Sequence, residues 1–153
     1  MILVALDGTQ GSWNALEEAI PLVQKNETWL LVHVIPDPTL LHARWFAPAL
    51  HFELEASRRD LNRTGMQVLE MGQQHIRSRL GIHTKILTRL EEAYNCTVGQ
   101  TLAQIVNDEQ PRLAALGAHG EHPEISDLGR TATWLTQHEK HNTLIVHQQG
   151  EDL

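Results

Sequence analysis

The chain has a single cysteine, Cys96, among 153 residues, which excludes an intrachain disulfide framework and fits a reducing compartment. It also lacks a basic surplus: 12 Lys and Arg stand against 19 Asp and Glu, a formal net charge of -7. That balance argues against binding nucleic acid or an anionic membrane, where the phosphate field rewards cations. No apolar run reaches the length of a membrane span. The opening MILVALDG reads directly as structure, without the regions of a leader. Asn95-Cys96-Thr97 spells a glycosylation sequon, but nothing in the chain points to a secretory route. The expectation is a cytoplasmic single domain over residues 1–153, whose 41% hydrophobic content suits one core.

Five short apolar runs alternate with helical patterns. ILVAL (2–6) and WLLVHVI (29–35) are apolar on both faces, as buried parallel strands are. The first ends at the turn signal Asp7-Gly8-Thr9-Gln10-Gly11, the second at Pro36-Asp37-Pro38. Between them Trp13, Leu16, Ala19, Ile20 and Val23 have helical spacing, and Pro21 kinks that helix or ends it early. A long helix is expected from about Leu54 to Leu80, with the stripe Leu54, Leu61, Gly65, Val68, Gly72, Ile76 and Leu80. Its two glycines fit a helix lying close against a sheet, or else a merely weaker helix. Gly81 ends it. HTKILTRL (83–90) alternates as a strand, Thr97 caps a helix carrying Val98, Leu102, Ile105 and Val106, and Leu113 to Leu116 form a fourth strand. A helix near Thr131 to His138 and a strand over Thr143 to His147 close the order. This alternation calls for an α/β fold: a parallel sheet with helices on both faces.

The stretch Leu116 to Ala132 reads LGAHGEHPEISDLGRTA. In open α/β sheets, ligands bind beyond the carboxyl ends of the strands, where strand order reverses. The first strand ends at Asp7-Gly8-Thr9 and the fourth at Gly117-Ala118-His119-Gly120, so these turns are expected to meet. Glycines let a backbone approach closely, and N–H groups at a helix start favour an anion. Asp7 can accept hydrogen bonds from a ribose or an adenine amino group. On spacing alone, the glycines suit a phosphate cradle and plain turns equally well.

Several separate segments resemble the universal stress protein family, and together they cover nearly the whole chain. ILVALDGT is similar to the family's first strand and aspartate turn. LLVHVIPDP is similar to the second strand, with the pair His33-Val34. LGAHG resembles the start of the nucleotide motif, and QHEKHNTLIVH the last helix end and fifth strand. The resemblance implies an open, Rossmann-like five-stranded parallel sheet of order 3-2-1-4-5. It implies ATP or AMP in the crevice, with Mg2+ only alongside the nucleotide. It also implies a homodimer, possibly through the strand Thr143–His147, and a regulatory module of the stress response acting through dimer or partner contacts rather than an enzyme. The binding residues it implies are Ala5, Leu6, Asp7, Gly8 and Thr9 in the first turn and Val34, through its backbone, in the second. Leu116, Gly117, His119 and Gly120 follow at the fourth strand, and Gly129, Arg130 and Thr131 close the loop.

The motif departs from the family's pattern. Eight residues separate Gly120 from Gly129, one fewer than usual, and Arg130 stands where Ser or Thr is expected, with Thr131 next. Glu121, Glu124 and Asp127 place carboxylates where a triphosphate would repel them. Arg130 can offset this with a bidentate fork, or Thr131 can supply the hydroxyl through a loop shift. Two other readings stand beside the nucleotide-binding regulator. One is a nucleotide-free interaction protein with an unidentified partner. The other is a weak ATP hydrolase, although no base, nucleophile and oxyanion set is assembled.

The remaining features weigh less. His119 and His122 lie three apart, as do His138 and His141, a spacing that can hold zinc. No cysteine lies beside them in sequence, and no resident metal is expected. Cys96 sits at a helix start without a charged helper. Trp45-Phe46 reads as a loop folded on the core, or as a lid or partner surface. The arginines of the long helix, offset by Glu55, Asp60 and Glu70, read as a solvated face.

Overall fold

The structure, a computed structural model, describes residues 1–37, 50–118, 130–138 and 142–146, without the side chains of 50–57, 130, 134 and 138. In chain order the elements are β1 (Ile2–Ala5), α1 (Gln10–Ala19), a 3-10 turn (Ile20–Leu22), β2 (Trp29–Ile35), α2 (Leu50–Leu80) and β3 (Ile86–Glu92). Then come α3 (Val98–Glu109), β4 (Leu113–Gly117), α4 (Arg130–His138) and β5 (Thr143–Val146). The strands form one parallel sheet in the order β3-β2-β1-β4-β5. This is the expected fold class and strand order.

Each face of the sheet carries its own core. On one side Ile2, Val4, Leu6, Trp29 and Leu31 pack with Leu16 of α1 and Val68, Leu69 and Ile76 of α2. On the other, Leu3, Leu30, Val32, Ala114 and Leu116 pack with Leu102, Ile105 and Val106 of α3 and Leu135 of α4. Alternate residues of β1 and β2 therefore serve opposite cores, which is why both strands read as unbroken apolar runs.

Local chemistry sets the element ends. Thr9 caps α1 by accepting from the Ser12 N–H. Pro21 ends the α-helix early: α1 stops at Ala19 and continues as a 3-10 turn. Thr97 and Gln100 form a reciprocal capping box on α3.

Three expectations need correction. α2 begins by Leu50 rather than near Leu54. Leu80 does not join the buried stripe, since it is 39% exposed, while Leu69 does. β3 spans Ile86–Glu92 rather than 83–90. Gly81 takes a positive φ, and the Thr84 N–H donates back to its carbonyl at 3.2 Å, so residues 82–84 are spent on a turn. Pairing with β2 then starts at Trp29↔Ile86 and sets the strand's bounds.

The two stripe glycines do mark close approach. A Cβ on Gly65 would lie 2.7 Å from both His33 Cδ2 and Leu90 Cδ1, and one on Gly72 would lie 2.7 Å from Leu6 Cδ1. His33 has little room to yield, because its Nδ1 donates to the Leu6 carbonyl at 2.7 Å. Gly65→Ala should therefore destabilise the fold by about 1–3 kcal/mol through overpacking, outweighing a helix-propensity gain of roughly 1 kcal/mol. Urea denaturation measures this, and a gain in stability would contradict the packing account.

At the opposite end of the sheet, Glu27 ties the entry of β2 to that of β4. Its carboxylate, 6% exposed, accepts from Arg112 Nε and Nη2, each at 2.8 Å. The Arg112 guanidinium holds the Glu27 carboxyl down at about 2, against burial that raises it and with help from the Gln24 N–H. A carboxyl lowered on folding adds stability above its unfolded value and loses it as pH falls toward the folded one. Glu27→Gln should cost about 2 kcal/mol at neutral pH. The gap from wild type should close between about pH 4.5 and pH 2 in urea midpoints measured across that range.

Candidate functional site

Strand order reverses between β1 and β4, which pair with each other while their crossovers leave on opposite faces. The carboxyl ends of these strands form the crevice where this fold class binds ligands.

The turn after β1 is held by its own side chains. Asp7 Oδ1 accepts from the Thr9 N–H at 2.9 Å and from the Thr9 hydroxyl at 2.5 Å. Ser12 Oγ donates to the Thr9 carbonyl at 2.9 Å and accepts from the Asp7 N–H at 3.4 Å. Gly8 has φ +88, a conformation side chains disfavour. The result is a fixed loop that presents the exposed Asp7 carboxylate beside the N-terminus of α1.

Gly117, the last residue of β4, lies directly against this turn. A Cβ there would sit 2.7 Å from the Gly11 carbonyl carbon and 3.0 Å from the Ser12 nitrogen. Of the two motifs expected to meet, Gly117 touches the backbone at the start of α1, just past Asp7-Gly8-Thr9, while His119 and Gly120 of the second motif lie outside the described residues. Across the sheet, a Cβ on Gly99 would sit 3.1 Å from Thr131 Cα, so the start of α3 abuts the first turn of α4.

The expected binding residues fall in different places. Asp7, Gly8 and Thr9 form the turn, Ala5 and Val34 are half-buried at the ends of their strands, and Leu6 and Leu116 are buried. Gly117 closes the floor, while Arg130 and Thr131 open α4. His119, Gly120 and Gly129 lie outside the described residues, as do Trp45 and Phe46. So do His122 and His141, and the side chain of His138. Three contributors carried weaker signals. Gly11 reads in sequence only as part of a turn, Ser12 only as a helix start, and the His33 bond to Leu6 joins positions 27 residues apart.

The same end of the sheet continues over β2 and β3 as a recess of about 80 Å3 lined by Ile35, Asp37, Arg58, Glu92 and Tyr94, among others. Buried Asp37 accepts from the Asn95 N–H at 2.8 Å. Arg58 donates to Glu92 and holds its carboxyl below the usual range, with Asn62 assisting. Larger recesses lie elsewhere, one between α1 and α2 and one at the N-terminal end of the sheet. The second lies away from the strand-order reversal, and the first reaches it only at Gln10, the first residue of α1. Position in the fold therefore selects the candidate site, and cavity size does not. Among the described residues no His, Cys, Asp and Glu side chains gather into a metal set, and no helix is long and apolar enough to cross a membrane.

A five-stranded parallel sheet of this order, with helices on both faces and Gly117 of β4 against the start of α1 at the reversal, defines an open doubly wound α/β fold. The model of the universal stress protein family matches residues 1–147, and the chain belongs to that family. Among solved structures it is similar to universal stress protein UspA from Lactobacillus plantarum, at 19% identity and a TM-score of 0.76, covering 95% of each chain. A universal stress family protein from Burkholderia pseudomallei is 23% identical with a TM-score of 0.69, covering 95% of this chain and 93% of that one. A universal stress protein in complex with cAMP is 15% identical with a TM-score of 0.58, covering 97% of this chain and 96% of that one. No curated protein sequence matches the chain.

The Gly117 contact is with backbone, which cannot swing aside as a side chain can. Gly117→Ala should cost about 3 kcal/mol, a larger loss than Gly65→Ala by the same denaturation assay. Equal stability to wild type would mean the junction is looser than its geometry.

Proposed function

We propose that this protein is a regulatory module that binds an adenine nucleotide, ATP or AMP, at the carboxyl ends of β1 and β4. The carrying observation is the contact of Gly117 with Gly11 and Ser12, which brings the end of β4 to the α1 N-terminus and the turn after β1. Family membership and a relative solved with cAMP support the choice of an adenine nucleotide. In this reading Asp7 and the Val34 backbone take the adenosine, with Ala5 and Leu6 lining its floor. Gly8, Thr9, Leu116 and Gly117 approach with their backbones, and His119, Gly120, Gly129, Arg130 and Thr131 take the phosphates. Mg2+ enters only with the nucleotide. The protein acts in the cytoplasm through dimer or partner contacts, its copies pairing through the β5 edge at Thr143–His147, and not as an enzyme.

A second reading, a nucleotide-free interaction protein, is favoured by the motif itself. The loop is one residue short, it carries three acids, and Arg130 replaces the hydroxyl residue.

The readings separate on one preparation. Small molecules released by denaturing fresh protein are identified by mass spectrometry, alongside titration with ATP and Mg2+. Adenine nucleotide in either experiment supports binding, and absence from both, up to millimolar ATP, supports the second reading. Arg130→Ala should weaken ATP by about tenfold and adenosine little, the expected cost of one charge-assisted contact. Equal losses would remove Arg130 from the phosphate role.

A further inference from the structure

β3 is an edge strand: among the described residues only β2 pairs with it. At seven residues it is as long as β2 and longer than the described part of the opposite edge strand, β5. Its ladder to β2 uses the odd-numbered residues. Trp29 N–H donates to the Lys85 carbonyl at 3.0 Å, and Ala93 N–H donates to the Ile35 carbonyl at 2.9 Å. Backbone alternation then turns the N–H and C=O groups of Ile86, Thr88, Leu90 and Glu92 toward the free edge. Beside that edge lie two exposed apolar side chains, Leu87 at 47% and Tyr94 at 78%.

We propose that this edge pairs antiparallel with the same edge of a second copy of the chain, about a two-fold axis through Leu90. An axis normal to the sheet keeps each copy's faces on the same side. It joins Leu90 to the partner's Leu90 and Thr88 to the partner's Glu92 through outward-facing backbone groups. It also sets Arg89 opposite the partner's Glu91, and Glu91 opposite the partner's Arg89, on the α3 face. Opposed pairs of this kind bring unlike charges within reach. Leu87 lies across from the partner's Ala93, already buried in its own chain, and Tyr94 across from the partner's Ile86.

Other registers fit less well. An axis through Arg89 opposes two arginines and points inward the groups that β2 already uses. An axis through Thr88 keeps the ladder but sets Arg89 against the partner's Leu87. Arg89 is already held in place, to Glu91 at 3.0 Å and to Glu109 of α3 at 3.1 Å, so both charges are fixed on the face where the pairing needs them. The competing role of such charges is to guard an edge strand against association.

Sedimentation equilibrium across a range of concentrations decides between them, comparing wild type with Thr88→Pro. Proline there removes an outward donor and leaves the β2 ladder intact, as edge strands tolerate, and circular dichroism confirms the fold. The mass of wild type should exceed that of Thr88→Pro, by about a factor of two if β3 alone pairs, and by an excess that grows with concentration if β5 pairs as well, because two self-pairing edges extend into an open chain of copies. Equal masses, or a monomeric wild type at every concentration, overturn the proposal. Glu91→Arg should also lower the mass, and the exchange Arg89→Glu with Glu91→Arg should restore it. If Thr88→Pro does not fold, that exchange decides alone, and failure to restore the mass overturns the pairing. Association through β5 survives in Thr88→Pro as a dimer and is read separately, and nucleotide binding is independent of both edges.

Discussion

The contact between Gly117 and Gly11 is the constraint on which the rest of the architecture depends. No Cβ fits between the end of β4 and the start of α1. Because the backbones touch there, α1 lies low across β4 and β5 and starts at the level where β1 ends. The Asp7–Thr9–Ser12 hydrogen bonds then hold the turn that joins them. A bulkier residue at Gly117 would lift α1, open the core between Leu16 and Ala115, and part the end of β4 from the turn after β1. The crevice and the packing of one sheet face thus share a single cause.

The same face repeats the device at a second place. α2 crosses the sheet with Gly65 and Gly72 against it, close enough that the His33 ring fills the space a side chain would take. His33 in turn donates to the Leu6 carbonyl, one residue before Asp7. The position of α2 is therefore transmitted to the aspartate turn through one ring and one hydrogen bond. At the other end, Glu27 and Arg112 clamp β2 to β4, so β1 is held between neighbours fixed at both ends.

Much of this was legible in the sequence where one rule dominates. β2 reads as a buried parallel strand from WLLVHVI alone, and its observed span, Trp29–Ile35, is the same. Pro21 and Thr97 mark their helix ends because each has a strong local preference. β3 was misplaced by a few residues because its bounds come from pairing with β2, a tertiary effect that HTKILTRL does not carry. The helical period puts Leu80 on the buried stripe, but at the last position of α2 there is little left to cover it. Within the site, the placement of Gly117 beside the chain that leaves β1 follows from strand order. The roles of Gly11, Ser12 and His33 needed distances, because glycine, serine and histidine each have many uses and no spacing distinguishes them.

In the function proposed above, the Gly117–Gly11 junction is the floor of a nucleotide site. The most direct measurement is a backbone amide NMR titration with AMP, following Gly8, Gly11 and Gly117. The account predicts saturable shifts in these three amides, with the edge strand β3 unmoved. Saturable shifts that spare all three, or no shifts at millimolar AMP, would contradict it.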